Sequence, residues 1–196
     1  AVIRGTTADP EGNITLENEA LFMESLEAAM AAKNCGGIVI AQVEALRDTP
    51  ARPIEVRIPG ILVDIVVVAT SRKTHPHTLF VDTDPSYVGD EIADLSSALE
   101  PMPLTPEKVI CRRAFLELKK GDLINLGVGI PMGVAQVAQE EGMLKDITMT
   151  TEIGVIGGLP QGGKNFGPAQ NPSAIISQTA MFDFYDGGGL DATCVG

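Results

Sequence analysis

Residues 122–158, DLINLGVGIPMGVAQVAQEEGMLKDITMTTEIGVIGG, constrain the fold more than any other part of the chain. An apolar stretch, Asp122 to Leu126, runs into a glycine turn, Gly127-Val128-Gly129-Ile130-Pro131. A helical pattern follows from Met132 to about Glu141, and a second strand runs from Ile147 to Thr151. Strands joined through a helix belong to an open α/β layer with a parallel sheet. Ligands in such sheets sit at the carboxyl ends of the strands. The glycine turn and Glu152 both lie at such ends, so the spacing predicts that they face one crevice.

The rest of the chain repeats this texture without repeating the sequence. Residues 1–7 read as a strand, and Asp9-Pro10-Glu11-Gly12-Asn13 as a turn. A helix is predicted from about Glu17 to Asn34, with Leu21, Leu26, Ala29 and Met30 near one face and Gly36 as terminator. Gly37 to Val43 is β-branched and continuous, as a buried parallel strand is. Ile54 to Ile58 alternates, and Ile61 to Ala69 reads as another buried strand. Residues 71–105 are rich in Pro, Asp and Ser and form a connecting segment with a short helix at 89–99. A basic amphipathic helix at 106–119 opens the second α/β unit. The organisation is thus 1–70, a connector at 71–105, and 106–196.

Two chemical readings of GVGIP and Glu152 stand beside a bland one. A glycine turn at a helix N-terminus offers N–H donors to anionic oxygens. A dinucleotide site wants G-x-G-x-x-G and an acid about 20 residues later. Gly127, Gly129 and Glu152 fit that pattern, but Met132 occupies the third glycine position. This leaves an NAD-dependent oxidoreductase using the GVGIP turn as one alternative. In the other, the glycine-dense EIGVIGG run lets backbone approach the Glu152 carboxylate, which acts as a nucleophile with backbone donors for the oxyanion. The bland reading is a solvent-facing Glu at a strand end in a non-catalytic ligand-binding α/β module.

The net charge of -12 argues against nucleic acid and against anionic membrane surfaces as partners. An anionic small substrate would need local donors such as Lys164, Arg112 or backbone N–H groups. Cys35, Cys111 and Cys194 are sparse and odd in number, which fits reduced thiols in a cytoplasmic protein. The apolar run at 61–69 is too short to span a bilayer. Ala1-Val2-Ile3 and Leu190 to Gly196 resemble strand interiors, so the chain is expected to be a segment excised from a longer one.

TTEIGVIGG, the preceding GVGIP and the later FDFYDGGGLDATCVG resemble the class I, glutamate-nucleophile coenzyme A transferases. The likeness is to the fused-chain acetate/propionate and 3-oxoacid members. IRGTTADPEGNIT, GGIVIAQV and VRIPGILVDIVVVA resemble the late part of that family's first domain. The resemblance implies open, mostly parallel sheets of the NagB/RpiA/CoA-transferase-like type, in parts of two tandem α/β domains. It implies Glu152 as the catalytic residue, with Gly127, Val128, Gly129, Ile130 and Pro131 contacting the coenzyme. Gly154, Gly157 and Gly158 would form the loop beside the nucleophile, and Gly187, Gly188 and Gly189 a run near the acyl pocket. It further implies coenzyme A as substrate and covalent intermediate, with no permanently bound cofactor and no metal. The small-molecule partners would be an acyl-CoA and a carboxylic acid, handled by a homo-oligomer. Segments this chain lacks help build the family's site, so the fragment alone is expected to be inactive.

Six further residues have a simpler reading beside a functional one. His75 and His77, with no third ligand placed nearby, read as a surface loop. Asp64 reads as a strand-end acid bonded to backbone. Nothing near Cys194 in sequence would activate its thiolate. Lys164 and Asn165 serve equally as phosphate contacts or as loop residues.

Overall fold

In the computed structural model, which describes residues 1–95 and 99–196, the N-terminal apolar stretch forms strand β1, Val2–Ala8. Helix α1 (Ser25–Asn34) and strands β2 (Ile40–Leu46) and β3 (Ile65–Val68) complete an N-terminal unit, Ala1–Asp84. Its three strands are parallel in the order β1-β2-β3. Central β2 buries Ala41 and Val43, which pack with Ile3, Ile14, Ala29, Val39 and Ile58.

Three features of this unit differ from the sequence reading. The helix starts at Ser25 and not near Glu17, because residues 17–24 are held by other bonds. The Asn18 N–H donates to Thr6 Oγ1 at 2.7 Å, Glu19 is buried against His75, and Met23 takes a φ of 53° that no helix accepts. Ile54 to Ile58 forms no strand; only an isolated bridge joins Ile58 to Ile14. The predicted buried strand at 61–69 becomes a 3₁₀ turn, Gly60–Leu62, followed by β3. That strand is an edge of its sheet, and Ile65, Val67 and Val68 are exposed. Asp64 does what its position suggested: it accepts the Val39 N–H at 2.8 Å and pairs with Lys33 at 2.6 Å.

The second unit, Pro85–Gly196, opens without the short helix expected at 89–99: residues 89–95 carry none, and 96–98 lie outside the described residues. Helix α2 (Pro106–Phe115) begins where Thr105 caps it and Pro106 fills the first position; it ends before the predicted 119. Strand β4 (Leu123–Leu126) leads through the glycine turn and a 3₁₀ turn, Ile130–Met132, into helix α3 (Gly133–Glu140). Strands β5 (Thr148–Thr151), β6 (Val155–Ile156), β7 (Leu159–Pro160), β8 (Ala169–Gln170) and β9 (Ala174–Ile175) follow. Helix α4 (Gln178–Asp186) and strand β10 (Ala192–Cys194) close the unit. The five-stranded sheet has the order β10-β4-β5-β6-β9, parallel through β10, β4 and β5 and antiparallel beyond. Strands β7 and β8 form a separate antiparallel pair. The molecule is α/β, with mostly parallel open sheets.

Strand alternation sorts the sheet's side chains by face. Ile124, Leu126 and Met149 join Cys111, Val134, Val137 and Ala138 in an apolar core beneath α2 and α3. Asn125, Thr150 and Thr193 alternate with them, a polar set on the other face.

The glycines after Glu152 have packing duties. Gly154 closes the turn from β5 to β6 by donating its N–H to Thr151 at 3.0 Å, with a φ of 111°. A Cβ on Gly154 would collide with the Ile176 carbonyl oxygen, and one on Gly158 with that of Gln170. The run is therefore closed against residues 170–177.

Two outcomes are expected. Gly154→Ala combines a forbidden φ with a backbone collision, so it lowers unfolding free energy by about 2–4 kcal/mol in urea titrations. The second concerns Asp9, whose Oδ1 accepts from Glu11 and Asn13 N–H and whose Oδ2 accepts from Asn13 Nδ2 and the Ala51 N–H. Burial alone would raise its pKa, but those four bonds outweigh it and hold the carboxyl at about 2 against an ordinary 3.8. A depressed folded pKa means this stabilisation is present above pH 3.8 and lost as pH falls through about 2. Urea midpoints should fall across that window, and Asp9→Asn should flatten the fall while lowering stability at neutral pH.

Candidate active site

Parallel pairing puts the two predicted elements on one edge. Strands β4 and β5 run side by side with Asn125 opposite Thr150, so the Gly127–Pro131 turn and Glu152 both emerge at the carboxyl ends. Gly127 gives its N–H to the Cys194 carbonyl at 2.8 Å, which ties the turn to β10. Gly129, at φ 90°, reverses the chain, and buried Pro131 is the second residue of the 3₁₀ turn. The N–H groups of Val128, Gly129 and Ile130 make no hydrogen bond among the described residues, and all three residues are exposed. They are the donors that this edge offers an anionic oxygen.

Glu152 is partly buried in the turn after β5. Its Oε2 accepts from Asn125 Nδ2 at 3.2 Å. Asn125, 7% exposed, also directs that nitrogen at the Thr150 carbonyl, 3.3 Å away, while its Oδ1 accepts from Thr193 Oγ1 at 3.3 Å. Thr150 Oγ1 donates to the Ile124 carbonyl at 2.9 Å, so its single proton is spent there. The Tyr185 phenol, 2.5 Å from Thr150 Oγ1, must then be the donor in that pair. Burial pushes the Tyr185 phenol above its ordinary pKa, bonds with Thr150 and Asn125 pull it down, and the charge of Glu152 adds to the rise.

The remaining predicted residues divide. Gly154 stands beside Glu152 in the turn. Gly157 does not: antiparallel β6 carries it back along β5, where its N–H donates to the Met149 carbonyl at 2.7 Å, and Gly158 lies beyond it. Gly187, Gly188 and Gly189 terminate α4, their N–H groups donating to Asp183, Tyr185 and Phe184 carbonyls. That cap fixes the helix end carrying Tyr185. Arg112 is paired with Glu141 at 2.6 Å. Burial raises the thiol pKa of both Cys111 and Cys194, the opposite of what a reactive thiolate needs. The sequence reading missed Asn125, Thr150, Tyr185 and Thr193. Only Asn125 carried a signal, as a polar residue inside the apolar run LINL.

The N-terminal unit corrects the reading of its histidines. His75 is buried and not on a surface loop, with Nε2 2.6 Å from Glu19 Oε1 and Nδ1 3.3 Å from Gln42 Oε1. Ligand-type neighbours do exist: Glu19, Glu44 and His75 place one atom each within 4.8 Å of one another. However, Arg4 pairs with Glu19 and Arg72 with Glu44, so two guanidiniums already balance the two carboxylates. His77 Nδ1 accepts the Asp84 N–H at 3.0 Å, which leaves Nε2 to donate to the Asn18 carbonyl. Burial first, then nearby Arg72, lowers its pKa. Both histidines tie segments of this unit together. Among the described residues, no helix is long and apolar enough to cross a membrane.

Residues 1–69 match the family model for coenzyme A transferase. The whole chain is 52% identical to caffeate CoA-transferase of Acetobacterium woodii, covering 37% of that protein. It is 43% identical to acetate CoA-transferase YdiF of Escherichia coli O157:H7, over 97% of this chain and 36% of the relative. The crystal structure of acyl-CoA transferase YdiF from E. coli O157:H7, described as a thioester complex with CoA, matches with a TM-score of 0.81 and 40% identity. That match covers 98% of this chain and 36% of the solved one. The chain thus spans little more than a third of the length of these relatives. Likeness of this order, in sequence and in backbone and across both units, aligns the chain along its whole length with a segment of coenzyme A transferases.

Proposed function

We propose that the protein moves coenzyme A between a short-chain acyl-CoA and a free carboxylic acid, through a thioester on Glu152. The observation that supports this reading is that Glu152 and the exposed Val128–Ile130 N–H groups follow the carboxyl ends of two paired parallel strands. The E. coli relative's description as a thioester complex with CoA supports it from outside. Acetate, in one relative's name, fits the short-chain reading, whereas caffeate is bulkier; the shared chemistry is a carboxylate exchanging with a CoA thioester.

Ionised Glu152 attacks the thioester carbonyl, forming a C–O bond and expelling the coenzyme thiolate. The product is a mixed anhydride. The thiolate adds to the glutamyl carbon and releases the first carboxylate, leaving glutamyl-CoA; the acceptor acid then runs the steps in reverse. The donors of the Gly127–Pro131 turn stabilise oxyanions at this edge. Both intermediates are activated acyl groups, so the site must exclude water. In the same reading residues 1–70 belong to the first CoA-transferase domain, 71–105 connect, and 106–196 belong to the second. The protein works as a cytoplasmic homo-oligomer on small molecules, with no nucleic-acid or membrane partner.

The test uses the full-length protein incubated with acetyl- or propionyl-CoA, treated with borohydride and digested. The peptide bearing Glu152 should be modified, since hydride reduces the glutamyl thioester to an alcohol and frees CoA. Glu152→Ala should abolish the modification and cut transfer by at least about a thousandfold. Normal transfer by Glu152→Ala sinks the proposal, and tight NADH binding without an adduct points to the oxidoreductase instead.

A further inference from the structure

The two oxygens of Glu152 are not equivalent. Oε2 accepts from Asn125 at 3.2 Å, while Oε1 makes no hydrogen bond among the described residues. What makes Asn125 a donor there, and not an acceptor, is its other end. Thr193 Oγ1 donates to Asn125 Oδ1 at 3.3 Å, and the Thr150 carbonyl, which can only accept, lies 3.3 Å from Nδ2. A flipped amide would set its oxygen against that carbonyl and against an anionic carboxylate. The strand register enforces this arrangement: Thr193, Asn125 and Thr150 are direct neighbours across β10, β4 and β5.

Building on the proposed function, we infer that Asn125 supplies the hydrogen bond to the glutamyl carbonyl oxygen through the whole reaction. Its Nδ2–H holds Oε2 and leaves Oε1 to attack. The bond from Oε1 to the acyl carbon forms as that carbon's bond to sulfur breaks. When the thiolate then adds to Cδ of Glu152, the electron pair of the Cδ–Oε2 double bond moves onto Oε2, opposite Asn125. Collapse expels the carboxylate, which carries away Oε1, and Oε2 remains as the thioester carbonyl. Asn125 thus faces the one oxygen that stays with the enzyme and gains negative charge in the tetrahedral intermediate. Its bond weakens as Oε1 attacks and the carboxylate loses its charge, then strengthens again as charge gathers on Oε2 in the tetrahedral intermediate. Its present length is ordinary for a catalytic hydrogen bond before substrate binds. Tyr185 and Thr150, bonded to each other beside this amide, position it without touching Glu152.

The experiment compares the unsubstituted full-length protein with Asn125→Ala and Thr193→Val, following the Glu152–CoA adduct from propionyl-CoA by rapid quench and peptide mass. Asn125→Ala should slow adduct formation about 100-fold, the cost of one oxyanion donor, with KM for propionyl-CoA changed less than about threefold. Thr193→Val, at an exposed position, should leave the melting temperature unchanged yet slow the same step about fivefold by freeing the amide to flip. Adduct formation at the unsubstituted rate in Asn125→Ala overturns the inference while leaving the proposed function intact. If Asn125→Ala does not fold, an unchanged rate in Thr193→Val overturns it equally. No adduct in the unsubstituted protein removes the proposed function, and this inference with it.

Discussion

Parallel register across β10, β4 and β5 is the constraint on which the candidate site depends. It sets Thr193, Asn125 and Thr150 in one lateral row, polar among apolar neighbours. A slip of one residue would turn that row into the core and expose Ile124 and Met149 instead. The buried face guards against the slip: Ile124 is 0% exposed and locked among α2 and α3 residues. Packing on one face therefore specifies chemistry on the other. The polar row, once fixed, is costly unless its hydrogen bonds are satisfied, and Tyr185 from α4 completes it.

The turn between β5 and β6 does comparable work for Glu152. A parallel strand is left by a long connection, yet here the chain reverses at once into an antiparallel partner. Only a glycine permits it, at a φ of 111° and with the Ile176 carbonyl pressed onto its open side. The carboxylate is thereby fixed at the strand end by a short, closed turn and not by a free loop. The later glycines, at 157 and 158, serve the same reversal farther back.

What the residues alone could reveal follows from the range of the interactions. The β4–turn–α3–β5 unit was legible because periodicity, glycine and proline signals are local, and the parallel arrangement then put GVGIP and Glu152 together. Asn125 announced itself only as an amide in LINL; its partners lie at 150, 152 and 193 and leave no local trace. His75 was misread for the same reason, since Glu19 is 56 positions away. The helix expected from Glu17 failed because Glu19 and Asn18 bond elsewhere in the unit. Glycine density beside Glu152 was visible, but its packing role was not: Gly154, Gly157 and Gly158 let residues 170–177 approach closely.

On the proposed function, the choice of partner for Glu152 has a physical logic. A nucleophilic carboxylate must be oriented and yet keep its electron pair available. A guanidinium or ammonium would orient it strongly and draw its charge. No ion pair joins Glu152 to Lys or Arg among the described residues, although Arg–Glu pairs are common elsewhere in the chain, as at Arg112–Glu141 and Arg113–Glu117. A neutral amide donates one weaker bond and engages one oxygen only. It holds the resting carboxylate less tightly than an ion pair would, and regains strength as charge gathers on Oε2 of the tetrahedral adduct, so it also stabilises the transition state that leads there. An amide whose own orientation is fixed by Thr193 and the Thr150 carbonyl meets that demand without adding a charge to the site.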